Sequence, residues 1–132
     1  MDITQARQFH LGDILSITTG SLVSPRHMDG IYDILDYMTG DSLSFHQLPR
    51  GMDECKPWVL RWHPRLADVD ASSVNGDNWR GWLDEQIAAF GETLPVWPIP
   101  ADDHEHIHPY DELVAMRGTD EGIVVMAVEP KD

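Results

Sequence analysis

The chain has 132 residues, of which 42% are hydrophobic and 24% charged, and this composition indicates one globular domain rather than a disordered tail. Its 23 acidic and nine basic residues give a formal net charge of −14, which disfavours direct binding to nucleic-acid phosphates or to anionic lipid. The sequence has no secretory signal and no apolar run near the roughly 18 residues that cross a bilayer, so we expect a cytoplasmic protein.

Two helices are predicted in the first third of the chain. Residues 11–20 have the pattern of a short helix that stops at a glycine, and their β-branched residues leave a strand open as the alternative. Residues 24–41 form the clearest helix, because Ser24 suits the N-cap, Pro25 suits the first helical position and Gly40 suits a left-handed stop. Its apolar face is predicted at steps of 3, 4 and 3 residues by Met28, Ile31, Leu35 and Met38.

Three further helical segments are predicted before residue 92. A brief helix after Gly40 carries Leu43, Phe45 and Leu48, and we expect Pro49 and Gly51 to end it. A second helix runs from Glu54 to His63 and stops at the following proline. A loop is predicted over 64–77, and a third helix follows it from about 78 to 90. The five tryptophans are expected in the core, because each ring buries a large apolar area.

The C-terminal third changes character. Residues 93–99 are predicted to be extended, and their two prolines confine them to an edge strand or a polyproline-like segment. A short helix is predicted over 109–117, and the best strand over 123–128. We expect an α+β fold in one domain over all 132 residues, with four to five helices (about 11–91) packed on a small β-α-β sheet from about 92–132. Parallel pairing is the natural expectation, and a third strand from the N-terminal half stays open.

One segment resembles a site. In ADDHEHIHPYD, residues 101–111, the alternation would place His104, His106 and His108 on one side of an extended chain, within reach of one divalent transition metal such as zinc. The alternative is a solvated loop whose histidines cap the helix that begins at Pro109. We favour this alternative, because alternating histidines are a weakly specific pattern.

Other catalytic patterns are weak. Cys55 is the single cysteine, so the chain cannot form an intramolecular disulfide. Its position near the start of a predicted helix could lower the pKa of the thiol. We nevertheless favour a buried structural role for this residue. The sequence contains neither GxxxxGK nor GxGxxG, the glycine patterns of phosphate-binding loops. No residue is assigned as catalytic, and enzyme activity is the less favoured hypothesis.

The strings LGDILSITTGSLVSPRHMDGIYDILDYMTGD and FHQLPRGMDECKP resemble a family of small uncharacterised bacteriophage and prophage proteins. The resemblance covers roughly residues 9–66 and carries no catalytic residues. It implies an accessory protein that works in the cytoplasm of an infected bacterium. In that setting, small acidic proteins are often inhibitors of host defence, of the anti-CRISPR or anti-restriction type.

Residues 101–132 hold nine acidic and two basic residues, the most negative part of the chain. The leading hypothesis is therefore a mobile-element protein that inhibits a host defence complex by binding the basic, nucleic-acid-binding surface of that complex. For such a protein we expect no cofactor and no direct binding to nucleic acid or to a membrane. The alternatives are a metal-binding protein or hydrolase that uses the histidines, and a structural or morphogenetic phage component. A homodimer stays open. The expected acidic surface comprises Asp102, Asp103, Glu105, Asp111, Glu112, Asp120 and Glu121.

Overall fold

The computed structural model describes residues 6–117. In chain order, the elements are β1 Arg7–His10, α1 Leu11–Thr19, α2 Met28–Thr39, α3 Leu48–Trp62, α4 Trp79–Phe90, β2 Thr93–Val96 and α5 Pro109–Arg117. Single-turn 3-10 helices span Phe45–Gln47, Pro64–Asp68 and Ala101–Asp103. The described residues thus form a helix-rich α+β structure, while the strand predicted at 123–128 lies outside them.

The two described strands form an antiparallel sheet. Arg7 lies opposite Val96 and His10 opposite Thr93. The segment predicted to be extended over 93–99 thus contains the strand β2, whose N-terminal partner β1 lies where the sequence pattern assigned no structure. With four residues, β1 is too short for alternation to be visible, and Phe9 is its fully buried side chain, 2% exposed.

Helix α2 begins at Met28, not at Ser24 as the sequence predicts. The Ser24 hydroxyl donates a hydrogen bond to the buried Asp13, and His27 has a φ of 56°, which a continuing helix does not allow. The C-terminal end agrees with the prediction, because Gly40 has a φ of 71° and closes the helix in the left-handed conformation.

Helix α3 begins at Leu48, so the prediction that Pro49 and Gly51 end a separate brief helix is wrong. A proline fits the first turn of a helix, where its missing N–H has no intrahelical partner to lose. A Cβ at Gly51 would lie 2.8 Å from Leu43 Cδ1 and 3.6 Å from Leu35 Cδ1. Glycine therefore lets α3 lie close against the buried side chains beside it.

Helix α1 lies at the centre of the core, since Leu11 to Thr18 are all buried and α2, α3 and α4 pack around it. The tryptophans Trp58, Trp62, Trp79 and Trp82 are only partly buried at the edge of the core, not inside it as expected. None of the helices in residues 6–117 has the length and apolarity that crossing a membrane requires.

Candidate functional site

Residues 101–112, here called the acidic segment, lie against the start of α3. The polar side chains that hold it there are spaced three and four residues apart: Gln47 in the turn before α3, and Arg50 and Glu54 on α3. Gln47 donates from Nε2 to the Ile107 carbonyl at 2.8 Å. The neighbouring His46 ring nitrogen Nε2 lies 2.7 Å from the Pro109 carbonyl oxygen. These contacts fix the path of the chain into α5.

Arg50 and Glu112 form a two-point ion pair. Arg50 Nε donates to Glu112 Oε2 at 2.8 Å and Nη2 donates to Oε1 at 3.0 Å. Glu112 is 7% exposed, and the hydrogen bond from Arg50 lowers the pKa of its carboxyl despite burial. The prediction that Glu112 belongs to an exposed acidic surface is therefore wrong, because its charge is neutralised inside the protein.

His104 bridges two carboxylates. Its Nδ1 lies 2.5 Å from Glu54 Oε1 and its Nε2 lies 3.0 Å from Asp41 Oδ2, while 8% of the side chain is exposed. Burial lowers the pKa of His104, but the hydrogen bonds to Asp41 and Glu54 outweigh it and raise that pKa. Both ring nitrogens can donate only when the imidazole is protonated, and that form fits two acceptors.

Asp41 also contacts a second histidine. His106 Nδ1 lies 2.7 Å from Asp41 Oδ2, and Asp41 Oδ1 accepts the Ser42 amide at 2.9 Å. Burial raises the pKa of Asp41, but the hydrogen bonds from His104 and His106 outweigh burial and lower it to about 2. One atom each from Asp41, His104 and His106 lies within 4.8 Å of the others, an arrangement that can hold a metal ion.

His108 does not join this group. Its Nδ1 accepts the Tyr110 amide at 3.1 Å, at the beginning of α5. The capping role proposed for the histidines therefore describes His108, whereas His104 and His106 contact carboxylates instead. Asp41 takes the place in this group that the sequence gave to His108.

The exposed carboxylates of the acidic segment form no ion pair within residues 6–117, although the charge of Glu105 interacts with that of Arg50. They are Asp102, Asp103, Glu105 and Asp111. Arg7 and Arg26 form ion pairs away from the acidic segment, and Arg61, Arg65 and Arg80 lie over aromatic rings. Arg50 is engaged with the segment itself, through Glu112 and the Glu105 carbonyl. Asp120 and Glu121, which the sequence placed in the same surface, lie outside the described residues.

An apolar groove of about 510 Å³ lies next to the same 3-10 turn that holds the acidic segment. Its apolar side chains include Leu22, Met28, Ile31, Phe45, Leu48 and Met52. Phe45 is 72% exposed. The turn over 45–47 thus presents an aromatic ring on one side and contacts the acidic segment on the other.

Cys55 is buried in α3. Burial, followed by the charge of Glu54, raises the pKa of the thiol to about 12. The structure thus confirms that this cysteine is buried, and a thiol that stays protonated at neutral pH is a poor nucleophile.

A family model described as a domain of unknown function (DUF7736) matches residues 9–69. This stretch contains Asp41 and Glu54 but ends before His104 and His106. The Ribonuclease 3 of Marinomonas sp. (strain MWYL1) is 27% identical over 116 residues, which are 82% of this chain and 49% of that protein. The chain therefore spans about half the length of this curated relative. No solved structure matches the chain.

Proposed function

We propose that this protein binds a basic surface of another protein through the exposed carboxylates of the acidic segment. The observation that carries the proposal is that these carboxylates form no ion pair within residues 6–117 and lie on a segment fixed by internal contacts, among them those of Arg50 with the Glu105 carbonyl and with Glu112. Together with the resemblance to phage proteins, this supports an accessory inhibitor of a host nucleic-acid-handling complex, of the anti-CRISPR or anti-restriction type.

The attachment of the acidic segment favours tight binding. Glu105 presents its carboxylate to solvent, yet its amide donates to Glu54 Oε2 at 3.0 Å and its carbonyl accepts from Arg50 Nη1 at 2.7 Å. A backbone held at both groups loses little conformational entropy when a partner binds. The carboxylates are thus arranged before the partner arrives.

The partner that fits is a protein with lysines and arginines next to an exposed apolar side chain. Opposite charges give fast and salt-sensitive association. The adjoining groove, with Phe45 at its rim, offers space for one apolar anchor, and exposed apolar patches of this kind are typical of protein interfaces. Carboxylates displayed in this way would compete with the phosphates that a nucleic-acid-binding surface expects.

The test is a pull-down from a bacterial lysate at low and at high salt, followed by identification of the captured protein. That protein is then purified and assayed for nucleic-acid binding or cleavage, with and without the acidic chain added. We expect a variant with the acidic segment neutralised to lose capture and inhibition: Asp102→Asn, Asp103→Asn, Glu105→Gln and Asp111→Asn. A control carries the same charge change at exposed sites elsewhere: Asp68→Asn, Asp77→Asn, Asp84→Asn and Glu85→Gln. Equal behaviour of the two variants, or a captured protein whose activity is unaffected, would contradict the proposal.

A second candidate, hydrolysis of RNA, is favoured by the similarity to Ribonuclease 3. The net charge of −14 opposes it, because an RNA backbone would be repelled. Incubation of the purified chain with a structured RNA, with and without Mg²⁺ or Mn²⁺, separates the two candidates. Metal-dependent cleavage that survives purification to homogeneity would favour this second function.

A further inference from the structure

We propose that Asp41, His104 and His106 form a binding site for a divalent transition-metal ion of the Zn²⁺ type. The site lies where the end of α2 meets the acidic segment, so a bound ion would join parts of the chain more than 60 residues apart. It is independent of the protein partner proposed above, because metal binding is measured on the chain alone.

The distances fit a metal ion. Ligand atoms about 2.0–2.1 Å from a tetrahedral zinc ion lie about 3.3 Å apart. Asp41 Oδ2 lies 3.0 Å from His104 Nε2 and 2.7 Å from His106 Nδ1. To admit the ion, these two contacts need to lengthen by about 0.3 and 0.6 Å, and all three ligand atoms already lie within 4.8 Å of one another.

A second layer of contacts orients the ligands. Metal-binding histidines usually donate their other ring N–H to a carboxylate, which fixes the ring and strengthens it as a ligand. Glu54 Oε1 occupies that position at His104 Nδ1, and Glu54 is itself held by the Glu105 amide and faces Arg50 Nη1 at 4.0 Å. The Ser42 amide likewise fixes Asp41 by binding Oδ1, which leaves Oδ2 directed at the histidines.

The donor set selects the kind of ion. Two imidazole nitrogens and one carboxylate oxygen suit Zn²⁺ and related transition metals, whereas Mg²⁺ and Ca²⁺ prefer oxygen ligands. The side chain of His106 is 66% exposed, so the site is open to solvent on that side and leaves room for water to complete the coordination.

The experiment is a titration of the chelator-treated full chain with Zn²⁺ by calorimetry, and with Co²⁺ by visible absorption, with Mg²⁺ as the ion that should not bind. We expect one Zn²⁺ per chain. His106→Ala should weaken binding at least tenfold and is expected to fold, because the side chain is largely exposed. His108→Ala is the matched control, since it removes a neighbouring exposed histidine outside the group and should leave the affinity unchanged.

The role of Glu54 provides a second readout. Glu54→Gln should weaken Zn²⁺ binding about 10–100-fold without changing the stoichiometry, because it removes the carboxylate behind His104 and no ligand. Circular dichroism of the metal-free variant checks that it folds. Absence of stoichiometric Zn²⁺ binding in the unmodified chain, or an equal loss in the His106→Ala and His108→Ala variants, would overturn the proposal.

Discussion

Arg50 and Glu112 lie 62 positions apart in sequence and meet through two hydrogen bonds of 2.8 and 3.0 Å. Because Glu112 is 7% exposed, removing its partner would leave a buried carboxylate without a counter-charge. We expect Arg50→Ala to destabilise the protein by about 3 kcal/mol, the lower end for a broken buried ion pair, since the Arg50 side chain keeps some exposure.

Urea unfolding followed by tryptophan fluorescence measures this loss. Lys56→Ala is the control, because Lys56 is an exposed cation on the same helix and forms no ion pair within residues 6–117. A loss for Arg50→Ala no larger than that of the control would mean that the ion pair contributes nothing to stability.

The same pair predicts an acid-dependent stability. Arg50 lowers the folded-state pKa of Glu112 below its ordinary value of 4.5, so the unfolded chain takes up the proton first. The stabilisation is therefore complete above pH 4.5 and is lost as the pH falls through the folded-state pKa. Urea midpoints over an acid pH series should fall less steeply for Glu112→Gln than for the unmodified chain. Parallel curves would assign the acid sensitivity to other carboxylates.

Glycine at position 30 is required by packing. A Cβ built there would lie 2.3 Å from both Asp13 Oδ1 and Ser24 Oγ. Gly30→Ala should therefore cost about 1–3 kcal/mol, as overpacking does, by separating α2 from the buried Asp13. Gly81→Ala is the matched control inside α4, where nothing lies within 4 Å of the new methyl group, and should stabilise by about 0.5–1 kcal/mol. Thermal unfolding of both variants measures the difference, and a similar effect of the two would contradict the close contact.

The fold could be predicted where the determinants are local. Gly40 and Pro64 mark the ends of α2 and α3 because a left-handed residue or a missing N–H acts within one turn. The sequence left an N-terminal strand open but did not locate β1, because this strand depends on pairing with β2, more than 80 residues away. Its four residues carry too little pattern to reveal that partner.

The site could be predicted only in part, for the same reason. His104 and His106 stand out by alternation within one segment, but their partners Asp41 and Glu54 belong to other elements and are ordinary acids in the sequence. For Glu112 the error runs the other way, because the sequence predicts an exposed functional carboxylate. In the sequence Glu112 resembles its exposed acidic neighbours, and only the fold shows that it pairs with Arg50. Local charge counts therefore identified the segment but not the role of each carboxylate.

The thiol of Cys55 should be inert in the folded protein. Its pKa of about 12 leaves only about one molecule in 10⁴ as thiolate at pH 8, and the side chain is buried besides. We expect reaction with a disulfide reagent at pH 8 to be slow, and to accelerate with urea because labelling requires the chain to open. One thiol per chain should react in full denaturant, which serves as the control. Complete labelling within minutes in native buffer would show that α3 opens readily or that the thiol is accessible.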